Sequence, residues 1–234
     1  MLAKTKAIVL RNTNYSETSV ISKMYTRELG VRTYMLQGVK RKKSAIKPAM
    51  IQPLSLLDLD VYDKPNAGIN RVKEMKTLHL LVNIHESIVK KTIALFLVEV
   101  LNQCLIEEHF EHDLFDFIEN QVIKLENEEH LGMFPIQFLA KLTVNLGVQP
   151  QGSYSPTTPY LNLEEGVYEL SSGQHKISEI SSRIFSEAML EKQSSSFTSK
   201  ERKEALDAIL MYYKIHITKN RQIKSKQILA DILN

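Results

Sequence analysis

The run Gly38-Val39-Lys40-Arg41-Lys42-Lys43-Ser44, with Lys47 close behind, sets four consecutive cations in a stretch whose glycine and serine permit close backbone approach. Cations so spaced in a loop can track a phosphate backbone and release its condensed counterions. The run belongs to a wider asymmetry. The first fifty residues carry eleven Lys and Arg against two carboxylates, Glu17 and Glu28, a balance of +9 in a chain whose total is only +3. Residues 51–199 sum to −10 and residues 200–234 to +4, so positive charge gathers at the two ends. Such segregation marks a polyanion-binding surface, with a solvated basic face as the plain alternative. At the C-terminal end Lys219, Arg221, Lys224 and Lys226 precede or open the last helix, where cations oppose the helix dipole and so hint at another use; a solvated face explains them equally.

Other chemistry-bearing residues lead less far. Glu107, Glu108, His109, Glu111, His112 and Asp113 resemble metal ligands by composition, yet they meet no motif of defined spacing and read as solvated charge between helices. His216 stands beside Tyr212 and Tyr213 in an apolar helix, the setting of a packed histidine. Cys104 is the single cysteine, which excludes an internal disulfide and a cysteine-rich zinc site; a buried structural thiol is expected. The eight glycines form neither a phosphate-binding loop nor a dinucleotide fingerprint, and no nucleophile elbow occurs, so an enzyme is not expected. Tryptophan is absent, and the nine tyrosines and eight phenylalanines are too dispersed to announce a base-stacking platform. With no apolar run near the roughly 20 residues of a membrane helix, and no apolar signal region after Met1, a soluble cytoplasmic protein is expected.

The elements that would carry the basic run are short strands. Thr5–Arg11 alternates, with Ala7 and Val9 on one face and Lys6, Ile8 and Leu10 on the other. Val20–Thr26, Val31–Gln37, Ser55–Tyr62 and Ile69–Met75 follow, with Gly30 free to take positive φ in the hairpin between the second and third. Five antiparallel strands in about 75 residues suit a small closed barrel; an OB-fold or an SH3-like barrel fits the pattern. Beyond residue 78 the period becomes helical, around Leu80–Leu101, Leu114–Leu125, Pro135–Leu146, Ser178–Glu191, Ser199–Ile217 and Lys224–Leu233. Gly147 should stop the third of these helices, and Thr198 or Ser199, with Glu201 near enough to complement it, should cap the fifth. A small hairpin is expected near 160–170, around Glu165-Gly166. The chain therefore reads as α+β, with a barrel domain over residues 1–78 and a mostly α-helical domain over 79–234.

Spaced along this frame are Ala7-Ile8-Val9-Leu10, Tyr15-Ser16-Glu17-Thr18-Ser19, Ile21, Thr26, Glu28, Gly30, Gly38-Val39-Lys40 with Ser44, and Gln52-Pro53. Phe96, Glu99 and Leu101, then His112 to Phe115, and then Leu210, Tyr213, His216, Lys224-Ser225 and Leu229 extend the series. Together they resemble the bacterial DNA-repair family RecO. The resemblance implies an N-terminal OB-fold and a helical domain. It also implies a recombination mediator that binds single- and double-stranded DNA, anneals complementary strands and works with RecR to load RecA onto strands covered by single-strand binding protein. By position, Lys40, Arg41, Lys42, Lys43 and Lys47 would contact the DNA backbone, with Arg32 as an addition. Arg221, Lys224 and Lys226 are the C-terminal candidates. The match at Phe138, Leu146 and Gly147 implies that the third helix receives the acidic, Phe-ended tail of single-strand binding protein, Lys141 meeting its charge and Phe138 or Leu142 its apolar residue. Many members carry four cysteines as a zinc site after this helix; Val148–Leu170 has none, so no zinc is expected and the hairpin should be held by packing alone. Without the resemblance, barrel and charge fit an OB-fold RNA-binding assembly or translation factor as well, and a metal-dependent hydrolase using Glu107 and Glu108 is a third class.

Overall fold

The computed structural model describes residues 1–41, 44–64, 68–105, 111–190, 197–218 and 223–232. The chain divides into two compact units, Met1–Asn127 and Glu128–Asn234. The first opens with five strands, β1 (Leu2–Asn14), β2 (Val20–Thr26), β3 (Gly30–Leu36), β4 (Leu56–Tyr62) and β5 (Asn70–Thr77). They close into an OB-like barrel in the order β1-β2-β3-β5-β4. β1 is long enough to serve two neighbours: Leu2–Ile8 pairs with β4, and Ala7–Asn14 pairs with β2 around a bulge between Val9 and Arg11 that turns the strand. Not every pairing is antiparallel as expected. β3 and β5 run parallel, Tyr34 against Asn70 and Met35 against Arg71, because closure joins strands that enter the barrel from the same end.

The barrel interior is filled by Ala7, Val9, Val20, Met24, Tyr34, Leu36, Leu57, Leu59 and Val61, with Val39 and Ile51 from the β3–β4 connection packed among them. Ile8, Leu10 and Tyr25 on the outer wall are just as buried. What covers them is helical. After α1 (Val82–Glu86), Ser87 takes an extended conformation and caps α2 (Ile88–Cys104), so the expected single helix is two. α3 (His112–Asn127) completes the unit. Asn102 of α2 reaches the Leu10 carbonyl at 3.4 Å, and Tyr25 meets Phe115 at a ring separation of 5.6 Å. Lys6 grips Glu119 at 2.9 Å, and Arg27 holds Asp116 through two bonds of 2.7 and 2.9 Å. Paired, charge-assisted bonds of this geometry orient as well as attract. Glu126, at the far end of α3, accepts the Asn83 and Ile84 amides at 2.8 and 2.9 Å and so caps α1. α1, α2 and α3 thus fall with the barrel in the first compact unit.

The second unit holds α4 (Phe134–Asn145), a hairpin of β6 (Tyr160–Asn162) and β7 (Val167–Glu169), α5 (Glu179–Met189), α6 (Ser199–His216) and α7 (Lys226–Ile232). Gly147 ends α4 at φ +68°, and Thr198 and Glu201 form the expected capping box. Packing alone does not hold the hairpin. Ser182 and Ser186, one turn apart on α5, accept the Leu161 and Tyr154 amides at 2.9 and 3.1 Å. Tyr212 donates to the Val148 carbonyl at 2.7 Å, and His216, stacked on Tyr212, bonds the Leu163 carbonyl at 2.7 Å. Helix side chains therefore satisfy the backbone of this segment. Gly166 is required twice over: its φ is +66°, and a Cβ would stand 3.0 Å from the Tyr212 hydroxyl.

The Arg27 guanidinium holds the Asp116 carboxyl below its usual range. A carboxyl depressed in the folded state contributes stability above its unfolded pKa, about 4, and that contribution is lost as pH falls through the folded value. Asp116→Asn should accordingly lower the urea midpoint at about pH 6, and this loss should shrink as pH falls through the folded pKa of the carboxyl; a loss independent of pH would deny the pair its electrostatic role.

Candidate nucleic-acid interface

The cations of the first fifty residues fall into two sets once their partners are known. Lys4 lies 4.0 Å from Asp60, Lys6 2.9 Å from Glu119, Arg27 2.7 Å from Asp116 and Arg32 3.4 Å from Asp63. These four are tied to the fold. Arg11, Lys40 and Arg41 are exposed, and no carboxylate among the described residues pairs with them.

The register gathers the second set. Asn14, the last residue of β1, pairs with Val20, and Val20 pairs with Leu36, the last residue of β3. The β1–β2 turn and the β3–β4 connection therefore leave the barrel side by side. The connection is anchored from both directions: Val39 is 2 % exposed among the barrel core residues, and the Asn12 amide of β1 donates to the Ile51 carbonyl. Between those anchors the backbone turns through Arg41 N–H to Gly38 at 2.9 Å and Ser44 N–H to Arg41 at 3.1 Å. Gly38 has φ +71°, and the Arg41 stem lies 3.6 Å from where its Cβ would be. Lys40 and Arg41 thus project from a loop that is bonded and plugged into the barrel.

Of the other expected residues, Lys42, Lys43 and Arg221 lie outside the described residues. Lys47 is exposed at the start of a 3₁₀ turn, Pro48–Ile51. Lys224 is exposed ahead of α7, and Lys226 binds Asp207 of α6 at 2.7 Å. Phe138 and Leu142 have no exposed surface at all, so neither can touch a docked tail in this packing. α4 is apolar on more than one side and sits in the core of its unit. A groove does open at its first turn, where Pro135, Ile136, Leu206 and Leu229 form the floor and Arg202, Lys203 and Lys226 stand at the edge. Arg202 is oriented there by bonds to the Phe197 carbonyl at 2.7 Å and the Ser199 hydroxyl at 3.0 Å. Arg11 carries no local motif. Its relevance appears only in the register, where it faces Lys23 across β1 and β2.

Glu107, Glu108 and His109 lie outside the described residues. Among the described residues no three His, Cys, Asp or Glu side chains converge on a common point. Burial pushes the Cys104 thiol up to about 12, the state of an inert structural cysteine. No described helix is long and apolar enough to cross a membrane.

The loop geometry rests on the left-handed backbone of Gly38. Gly38→Ala should destabilise the protein by about 1–2 kcal/mol, the strain of placing a Cβ at that φ, and Gly38→Asn by less; equal stability of the alanine variant in urea denaturation would show that the loop does not need this turn.

Residues 1–81 match the family model described as Recombination protein O N terminal. Over the full length of both chains the protein is 30% identical to the DNA repair protein RecO of Flavobacterium johnsoniae. It is 29% identical to that of Flavobacterium psychrophilum and 30% identical to that of Azobacteroides pseudotrichonymphae, again across the whole of each chain. Barrel, helical units and end-to-end similarity agree: the chain belongs to the RecO family.

Proposed function

We propose that this protein is a non-enzymatic DNA repair and recombination mediator of the cytoplasm and nucleoid that binds single- and double-stranded DNA and anneals complementary strands. One observation carries the reading. Arg11, Lys40 and Arg41, left without carboxylate partners, share one rim of an OB-like barrel while the neighbouring cations are consumed by the fold. Two DNA strands repel through their phosphates, and a cationic rim screens that repulsion by displacing condensed counterions. Base pairing then supplies the free energy, so no nucleotide hydrolysis is needed. Lys42, Lys43 and Lys47 would extend the same surface along the backbone, and Arg221 and Lys224 would form a second cationic group in the C-terminal unit, where Lys226 is committed to Asp207.

Partner proteins would do the loading. RecR is the expected companion in placing RecA on strands covered by single-strand binding protein. The acidic, Phe-ended tail of that protein would meet the groove at the first turn of α4, its carboxylates facing Arg202 and Lys203. This moves the docking point from Phe138 and Leu142, which are buried, to their neighbours in sequence; Lys141 is half-buried on the same helix.

The test is annealing of two complementary labelled DNA strands precoated with single-strand binding protein, without nucleotide. Wild type should accelerate annealing, and changing Lys40, Arg41, Lys42 and Lys43 together to Ala should remove most of the effect. Precoating with a tailless single-strand binding protein should lower the rate further at limiting protein. No acceleration by wild type would overturn the annealing mechanism, and tighter binding to RNA of matched sequence would favour an RNA-binding factor.

A further inference from the structure

We infer that Tyr15 is a base-stacking residue that gives the barrel rim its preference for unpaired nucleic acid. The inference rests on the DNA-binding reading above and adds the group that distinguishes one strand from two. Tyr15 is 64 % exposed, the most open aromatic side chain among the described residues. Its ring is carried on an ordered turn: the Tyr15 and Ser16 amides donate to the Ser19 carbonyl at 3.0 and 3.3 Å, and the Ser19 amide donates to the Ser16 hydroxyl at 3.2 Å. An exposed ring on a fixed turn contributes no core packing and is already oriented for a planar ligand.

Its place in the register gives the ligand's class. Tyr15 follows Asn14 directly, and Asn14, Val20 and Leu36 lie side by side across three strands, so the ring stands beside the loop bearing Lys40 and Arg41. Arg11 precedes it on β1, exposed like Lys40 and Arg41. Glu17 is the one carboxylate of the turn, set against these three cations. An aromatic face among cations fits a strand whose phosphates meet the cations while one base lies on the ring. Tyr62, exposed by 48 %, faces Arg71 across β4 and β5, but Asp63 follows it and pairs with Arg32. In a duplex every base is already stacked on its neighbours and offers Tyr15 no face. The cations serve both forms of DNA; the ring serves only the unpaired one.

The chain has no tryptophan, so Tyr15→Trp introduces a single reporter. Its emission should be quenched on titration with oligothymidylate and unchanged with an abasic oligonucleotide of the same length or with duplex. Tyr15→Ala should lose about tenfold in affinity for oligothymidylate, within the range of one lost base stack. It should bind duplex as wild type does, keep the wild-type salt dependence and keep the wild-type urea midpoint; Tyr15→Phe should behave as wild type. Single-strand affinity of Tyr15→Ala equal to wild type, or unquenched emission from Tyr15→Trp with oligothymidylate, would overturn the stacking role while the wild-type titration still upholds DNA binding. Failure of wild type to bind either form would overturn both.

Discussion

Closure of the five-stranded barrel depends on a brief parallel pairing, Tyr34–Met35 against Asn70–Arg71, that joins strands separated by the entire β3–β4 connection and β4. Asn70 is 3 % exposed there and accepts the Lys64 amide at 3.0 Å through its side chain, so the chain's entry into β5 is fixed by a buried polar contact as well as by the ladder. Once the ring is closed, β1 has a partner along each half, and the bulge after Val9 lets it pass from β4 to β2. The rim itself follows from β2, which pairs with β1 on one side and β3 on the other and so brings the β1–β2 turn beside the connection that leaves β3.

A protein with many cations must separate those that hold it together from those left for a ligand. Here the separation is spatial. Lys6 and Arg27 face the covering helix α3 and meet Glu119 and Asp116, while Arg11, Lys40 and Arg41 are exposed and pair with no carboxylate among the described residues. Partly exposed pairs contribute little each, and their use is to orient α3 on a wall whose burial comes from Ile8, Leu10, Tyr25 and Phe115. Arg32, expected from its charge to join the ligand-binding set, is committed to Asp63 and belongs by this criterion with the structural cations.

The sequence predicted local features well and long-range ones poorly. All five strands, the positive φ of Gly30, the stop of α4 at Gly147, a cap at the start of α6 and the hairpin around Gly166 were legible because period, turn chemistry and capping act over a few residues. The parallel β3–β5 closure was not, since no local pattern records which distant strand a segment will meet. Both faces of β1 are buried along the unbroken run Ala7-Ile8-Val9-Leu10. The family resemblance points to Phe138 and Leu142 for docking, but most of α4 is apolar, which is itself the signature of a buried helix. Arg11 and Tyr15 acquire meaning only through cross-strand neighbours, and dispersion in sequence hid both.

The central claim is that phosphate binding belongs to the cations the fold leaves unpaired. The most direct measurement is the slope of log affinity against log salt for a single-stranded oligonucleotide, compared among wild type, the Lys40→Ala, Arg41→Ala double variant and Arg32→Ala. Each phosphate contact contributes about 0.7 to that slope. The double variant should flatten it by about 1.4, and Arg32→Ala should lower stability with the slope unchanged. A slope that survives loss of Lys40 and Arg41, or that falls on loss of Arg32, would contradict the assignment.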